Sequence, residues 1–253
     1  MNMAAWVARQ RNRLVRLRNR AVLFDRKIDF AMLHDRPIVA VYPELGLIYN
    51  RVMKSGNSTL TAFLNDLAGG REYGAIADLK EDVLRPGEMS LGQMLRFRGY
   101  RSFTCVRDPH TRILSCFLHK IAAGDNPGYR AVPGFGERSS EAFARFLGHL
   151  AEGHLDDDRH WRPQVRLLYQ PADRFTRICR LETLAADMAG VLRDIGRDPR
   201  AAEALAAPHR IEVAAGSKLT SASGRTAEFH DDRTRALVRR LYAEDFETFG
   251  YAP

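Results

Sequence analysis

Two short stretches of this chain hold the residue types that anion chemistry needs. Lys54-Ser55-Gly56-Asn57-Ser58-Thr59 lies between a β-branched apolar run and a segment of helical spacing. A glycine at such a junction lets the backbone turn its N–H groups inward, and the helix adds its positive end. With Lys54, Ser58 and Thr59 as further donors, the loop reads as a cradle for a doubly charged, phosphate-like group. It is not a Walker A loop, because that motif places its lysine after the last glycine, at the helix start, beside a Mg²⁺-binding hydroxyl. A nucleotide kinase or GTPase therefore loses its main support, and standing alone the loop would be an ordinary turn with an N-cap serine. The second stretch is Arg107-Asp108-Pro109-His110-Thr111-Arg112-Ile113-Leu114-Ser115. Asp108 is placed to cap a helix, Pro109 fits its first turn, and Arg112 and Ser115 share a face, which leaves Arg107 at a strand end as a second anion clamp. Two anion sites on one sheet point to a ligand carrying two phosphate-like groups.

The elements that must position these residues follow from the spacing. Ile38 to Tyr42 and Leu47 to Val52 flank Pro43-Glu44-Leu45-Gly46 and read as a hairpin or two successive strands. The second strand feeds the lysine loop, and a helix is expected from about Ser58 to Leu67. Arg101 to Val106 is a further strand, followed by helical spacing at Ile113, Leu114, Phe117 and Ile121. Later helices are expected over Ser140 to Glu152, Leu181 to Ile195 and Asp232 to Phe249, with a short strand near Phe175 to Cys179 and a loop from Pro127 to Arg138. No repeat or linker divides the chain. The expected organisation is a basic helical arm over 1–30 and one α/β domain over 31–253.

Composition narrows the class. The 253 residues are 45% hydrophobic and 28% charged, which is ordinary globular usage and excludes a disordered or collagen-like chain. Three cysteines, Cys105, Cys116 and Cys179, are too few and odd in number for a disulfide framework, and Cys105 and Cys116 read as small hydrophobes packed against the sheet. Lys+Arg 39 against Asp+Glu 31 leaves +8, a balance that favours phosphate, sulfate, nucleic acid or anionic lipid without choosing among them. Only five of those 39 are lysine, so a lysine inside a site marks a place for a compact ammonium. The arm holds Arg9, Arg11, Arg13, Arg16, Arg18 and Arg20 with no acid before Asp25. It reads as a helix packed on the domain with a solvated basic face, or as a contact for a membrane surface or a partner.

Four patches together resemble the carbohydrate sulfotransferases that use 3′-phosphoadenosine 5′-phosphosulfate (PAPS), in particular the group containing the HNK-1 and chondroitin enzymes. Lys54 to Thr59 is similar to that family's 5′-phosphosulfate loop. Arg107 to Ser115 matches its 3′-phosphate pattern Arg-Asp-Pro-x-x-Arg-x-x-Ser, His160-Trp161-Arg162-Pro163-Gln164 is similar to its His-Trp segment, and Leu241 to Tyr251 is similar to its C-terminal signature. Arg180-Leu181-Glu182-Thr183-Leu184 also fits. The resemblance implies a three-layer, P-loop-NTPase-like α/β fold with a mainly parallel sheet, and PAPS as sulfonate donor to a carbohydrate or glycolipid hydroxyl. Carried over, Lys54, Ser55, Gly56, Asn57, Ser58 and Thr59 would hold the 5′-phosphosulfate, and Arg107 and Ser115 the 3′-phosphate. The animal members carry an N-terminal Golgi anchor that does not show here, so a cytoplasmic, bacterial setting is the expectation, peripheral to a membrane if the arm binds one.

Some relatives place a catalytic histidine shortly before the Arg-Asp-Pro motif, where this chain has none between His34 and His110. His160 is then the leading base, since imidazole titrates near neutrality and Trp161 beside it offers a ring to stack on a sugar. Lys54 would stabilise the leaving group. Glu182 is the reserve base, and His110 and His119 read as structural. No metal is expected, and Asp156-Asp157-Asp158 reads as a solvated loop. Ser217 and Lys218, in the polar stretch Ala214 to Arg225, read as a surface loop or as a further phosphate contact. A non-catalytic nucleotide- or nucleic-acid-binding protein of the same fold stays open beside the enzyme, and the sugar acceptor is not legible.

Overall fold

The computed structural model describes residues 3–70, 72–73, 75–206 and 222–253, so Ser217 and Lys218 lie outside the described residues. The chain opens with helix α1 (Met3–Leu23) and a short turn α2 (Phe30–Leu33), then the hairpin β1 (Val39–Tyr42) and β2 (Leu47–Asn50). Helices α3 (Asn57–Leu67), α4 (Ile76–Asp82) and α5 (Leu91–Phe97) lead to strand β3 (Arg101–Val106). Then come α6 (Pro109–Cys116), α7 (Ser140–His149), strand β4 (Arg177–Arg180) and α8 (Leu184–Asp194). The C-terminal part is helical: α9 (Thr226–Phe229), α10 (Asp232–Leu241) and α11 (Ala243–Phe249).

The sheet runs β1-β2-β3-β4, with β1 antiparallel to β2 and the other two pairs parallel. Strand side chains alternate between faces, so each strand supplies two cores. Ala40, Tyr42, Leu47, Tyr49, Phe103 and Cys105 face a layer containing α3 and α8. Val39, Val41, Ile48 and Val106 face the opposite layer, which receives Leu23 of α1 and Met94 and Phe97 of α5. A third core, built on Phe117, Phe143, Phe146, Trp161 and Tyr242, joins α6 and α7 to the C-terminal helices. Helices on both faces of a mostly parallel sheet give the three-layer α/β arrangement that the resemblance implies.

Local chemistry sets the helix ends. Asp108 caps α6 by accepting from the Thr111 amide, with Pro109 in the first turn. Ser90 and Gln93 form a capping box on α5, as Asp231 and Thr234 do on α10. Three expected helices are shorter than the spacing indicated. The 232–249 segment breaks at Tyr242, whose φ of −115° and ψ of 26° leave the helix while its buried hydroxyl donates to the Trp161 carbonyl at 2.6 Å. The 140–152 segment loosens into a π-helical turn over Leu150–His154, in which Gly153 has a φ of 109°. Leu181–Thr183 form a 3-10 turn before α8, with Thr183 and the Arg180 amide both tied to Asp187. A long-range hydrogen bond marks the break at Tyr242, whereas Gly153 and the local bonds to Asp187 mark the other two, so local and tertiary contacts both override a helical pattern.

Candidate functional site

All three parallel strands end on the same edge of the sheet, the edge where open α/β sheets bind ligands. The β2 end delivers Met53 to Gly56, the β3 end delivers Arg107, and the β4 end delivers Arg180 to Thr183. The lysine loop turns left-handed twice, at Lys54 (φ 69°) and at Gly56 (φ 73°), with Ser55 between them. A side chain at Gly56 would also meet Leu181 Cδ1 at 2.8 Å, so glycine is required there both for its backbone angle and for close approach of the β4 segment. Lys54 holds the same backbone region without that freedom, and such stored strain is typical of functional loops. Helix α3 starts at once, with its N-terminus beside the loop.

Buried polar contacts lock this loop to the second motif. Arg107 donates from Nη1 to the Lys54 carbonyl at 3.4 Å and from Nε to the Thr111 hydroxyl at 3.1 Å. Gln164, fully buried, accepts from the Ser55 hydroxyl and the Arg107 amide at Oε1 and donates from Nε2 to the Arg107 carbonyl. Its own amide and that of Val165 are received by the buried Asp245 carboxylate of α11. Arg112 does not sit at the surface. Instead it is buried and reaches the Met53 carbonyl at 3.0 Å and the His160 carbonyl at 3.5 Å, bracing the two loops. Ser115 and Thr59 are buried beneath the same region, and Lys54 and Ser58 are half-buried.

His160 stands at the far side. Its Nδ1 lies 2.6 Å from Asp158 Oδ1, an oxygen that also accepts from the His160 amide, and the Tyr129 hydroxyl donates to Oδ2 at 2.9 Å. Burial pushes the Asp158 carboxyl up, but the hydrogen bonds from His160 and Tyr129 outweigh it and hold the pKa at about 2. Burial lowers the pKa of His160; Asp158 opposes that, and the positive charges of Lys120 and Lys54 reinforce it. The imidazole is therefore neutral at pH 7. Asp158 stays ionised and fixes the proton on Nδ1, so Nε2 carries the lone pair.

Several expectations change here. Asp158 is not part of a solvated acid run; only Asp156 and Asp157 are exposed, paired with Arg166 and His154. Trp161 does not face a sugar site. It is 3% exposed, packs in the third core and donates from its indole to the His154 carbonyl. Glu182 is engaged by the Asp108 amide and the Tyr251 hydroxyl, so its two oxygens tie the segment after β4 to the start of α6 and to the C-terminal segment. The C-terminal signature is thus a clasp: Tyr242 holds Trp161, Asp245 holds Gln164 and Val165, and Tyr251 holds Glu182 while lying under the Arg180 guanidinium.

Other residues entered the site without a signal strong enough to assign them. Lys80 of α4 donates to the Ser58 hydroxyl at 2.5 Å, and Lys120 sits in a π-helical turn over Phe117–Ile121, close enough for its charge to act on His160. The rarity of lysine marked both, but nothing in the spacing tied them to the loop. Asp158 and Tyr129 were legible only as types. Among the described residues no group of three or more His, Cys, Asp or Glu side chains is placed to hold a metal ion. All three cysteines are buried, and burial pushes the Cys116 thiol up to about 12.

The arrangement joins two donor-rich motifs and brings the charge of Lys54 to bear on an imidazole whose pKa burial lowers. Comparison with known proteins places it. The family model for the sulfotransferase family matches residues 39–252. Carbohydrate sulfotransferase 12 of Xenopus laevis is 28% identical over 138 residues, covering 45% of this chain and 33% of that protein. Carbohydrate sulfotransferase 10 of Rattus norvegicus is 25% identical over 240 residues, covering 81% of this chain and 64% of that protein. The chain thus spans from about a third to just under two thirds of the length of these relatives. No solved structure gives a significant match. The family match takes in every strand of the sheet, the lysine loop, the Arg107 motif and the His160 segment, and the chain belongs to the sulfotransferase family, with its P-loop-like α/β fold.

Proposed function

We propose that this protein moves a sulfonate group from PAPS to a hydroxyl of a carbohydrate. The observation that carries the reading is the junction at the sheet edge, where Arg107 grips the Lys54 carbonyl and so joins the two anion motifs into one surface. The donor set fits a nucleotide with charged groups at two positions. The α3 N-terminus, the amides of Ser55, Gly56 and Asn57, the hydroxyls of Ser58 and Thr59 and the Lys54 ammonium suit a 5′-phosphosulfate. Arg107 and Ser115 suit a 3′-phosphate. The Ser55 hydroxyl turns inward to Gln164, which leaves its amide for this task. The two carbohydrate sulfotransferases above support a sugar as acceptor.

PAPS, when bound, supplies an activated sulfur with a nucleotide leaving group. His160 accepts the acceptor hydroxyl's proton at Nε2 while Asp158 steadies the imidazolium that forms. The hydroxyl oxygen forms its bond to sulfur as the bond from sulfur to the 5′-phosphate oxygen breaks. Lys54 neutralises the charge gathering on that leaving oxygen, leaving a sulfate ester and adenosine 3′,5′-bisphosphate. Lys80, through Ser58, adds positive charge behind the same pocket. A sulfonyl group with one negative charge leaves less for a metal to neutralise than a phosphoryl group does.

The test is transfer itself. Sulfur-labelled PAPS incubated with the protein and glycans from its source organism should label a sugar product with a chelator present. Adenosine 3′,5′-bisphosphate should raise the melting temperature under the same conditions. No labelled glycan, with stabilisation only by ATP and Mg²⁺, would assign the fold to phosphoryl transfer, and stabilisation only by oligonucleotides would assign it to nucleic-acid binding.

A further inference from the structure

We propose that α1 and α5 form a docking face for an anionic lipid bilayer. Among the described residues, large apolar side chains are not scattered over the surface. The five that stand exposed among the described residues are Leu14 (66%), Leu17 (53%), Phe24 (91%), Leu91 (52%) and Leu95 (53%), all on α1, at its end, or on α5.

Helix geometry groups those of α1, and α5 packs against that helix. Leu14, Leu17, Ala21 and Phe24 follow each other at intervals of three, four and three residues, which lines them along one side of α1. The side that packs on the domain is the opposite one: Leu23 enters the core, and the buried Asn19 donates to the Pro86 carbonyl and meets His34. The stripe is therefore not a core face left open by chance. Phe24 takes a positive φ of 42°, a strained angle for a bulky residue, as the chain leaves the helix with this ring outward. Arg18 fixes the neighbour by donating to the Met89 carbonyl at 2.7 Å, just before α5 begins. Leu91 and Leu95, one turn apart on α5, are exposed while Met94 and Phe97 of the same helix are buried.

Charge decides the occupant. Arg13, Arg16 and Arg20 run along one flank of the leucine stripe, and Arg96 and Arg98 are exposed on α5. The nearest acids are spent: Asp25 pairs with Arg174, Asp29 caps α2, and Glu88 pairs with Arg85. A second copy of the chain would bring arginines against arginines. A polyanion such as nucleic acid would satisfy the arginines and leave the leucines and Phe24 in water. A bilayer with anionic headgroups satisfies both, taking the apolar stripe into its interface while phosphates meet the guanidinium groups. No described helix is long and apolar enough to cross a membrane, so the contact is one of lying on the surface. This inference does not depend on the reading of the active site.

The experiment is co-sedimentation of the whole chain with vesicles of phosphatidylcholine alone and of phosphatidylcholine mixed with phosphatidylglycerol. Binding should require the anionic lipid and weaken as salt rises. Leu14→Asn with Leu17→Asn should lower the partition roughly tenfold through lost apolar burial. Arg13→Ser with Arg16→Ser should lower it by about fivefold for each charge removed. Both pairs are exposed, and unchanged melting curves check that the fold is intact. Equal binding to neutral vesicles, or anionic binding untouched by either double variant, would overturn the proposal. So would a wild-type dimer that the leucine variant splits without any vesicle binding, or polyanion binding that ignores the leucines.

Discussion

The two sides of the site are made of different material. The donor side is backbone and strand ends: a twice left-handed loop, the first turn of α3, and Arg107 held at its amide and carbonyl by Gln164. The acceptor side is side chains from loops, His160 steered by Asp158 and Asp158 in turn by Tyr129. A backbone cradle is fixed once the sheet forms, and a chain of side-chain hydrogen bonds is fixed only when every member is present. Damage on the acceptor side should therefore appear in turnover, and damage on the donor side in nucleotide affinity. In the proposed reaction Lys54 belongs to both, since its backbone shapes the cradle and its ammonium is assigned to the leaving oxygen.

The largest expected effect falls on the acceptor side. His160→Ala should cost roughly 10² to 10⁴-fold in turnover and leave nucleotide affinity nearly unchanged. Because the pKa of His160 is lowered by burial, the acidic limb of the rate profile should lie below pH 6.5, the ordinary histidine value, and vanish in the variant. A folded His160→Ala enzyme with normal saturated turnover would move the base elsewhere.

Lys54→Ala comes next and probes the overlap. Turnover should fall by about 10² to 10³-fold with a smaller change in donor affinity. A variant that lost affinity alone, with turnover intact at saturation, would place Lys54 wholly on the donor side.

A third prediction keeps the acid limb distinct from unfolding. His110 and His230 are buried ring against ring, 5.2 Å between centroids, and burial lowers each to about 4. The unfolded chain binds these protons first as pH falls, so stability is complete above about 6.5 and declines toward 4. At pH 5 the loss should be on the order of 2 kcal/mol per histidine, less for the pair together because their titrations are coupled. Thermal melting across that range should show the decline in wild type and a flatter curve in His230→Phe. Equal slopes would mean that the pair is not the acid-sensitive element.

What the sequence made legible follows the same division. The donor side lies in two unbroken stretches, Lys54 to Thr59 and Arg107 to Ser115, and a strand-loop-helix unit can be read wherever its residues are consecutive. The unbroken apolar and β-branched runs of β1 to β3 made the strands legible for the same reason. The acceptor side is scattered: Tyr129, Asp158 and His160 meet only because α6, α7 and the C-terminal helices pack around Trp161. Asp158 resembled its neighbours Asp156 and Asp157, and a run of acids does not say which one will be half-buried. Trp161 carried the opposite error, since an aromatic beside a base looks like a sugar platform until packing shows it inside. Gln164 was in plain view beside them, but its role depends on the backbone amide and carbonyl of Arg107, and backbone groups have no sequence signal.

Calorimetric titration of adenosine 3′,5′-bisphosphate, with a chelator present, into the wild-type, Arg107→Ala and His160→Ala proteins tests the central claim most directly. Wild type and His160→Ala should bind equally. Arg107→Ala should bind more weakly by about 1.5 to 3 kcal/mol, the scale of a hydrogen bond to a charged group. Wild-type affinity in a folded Arg107→Ala protein, or no binding to wild type at all, would contradict a nucleotide held across the two strand ends.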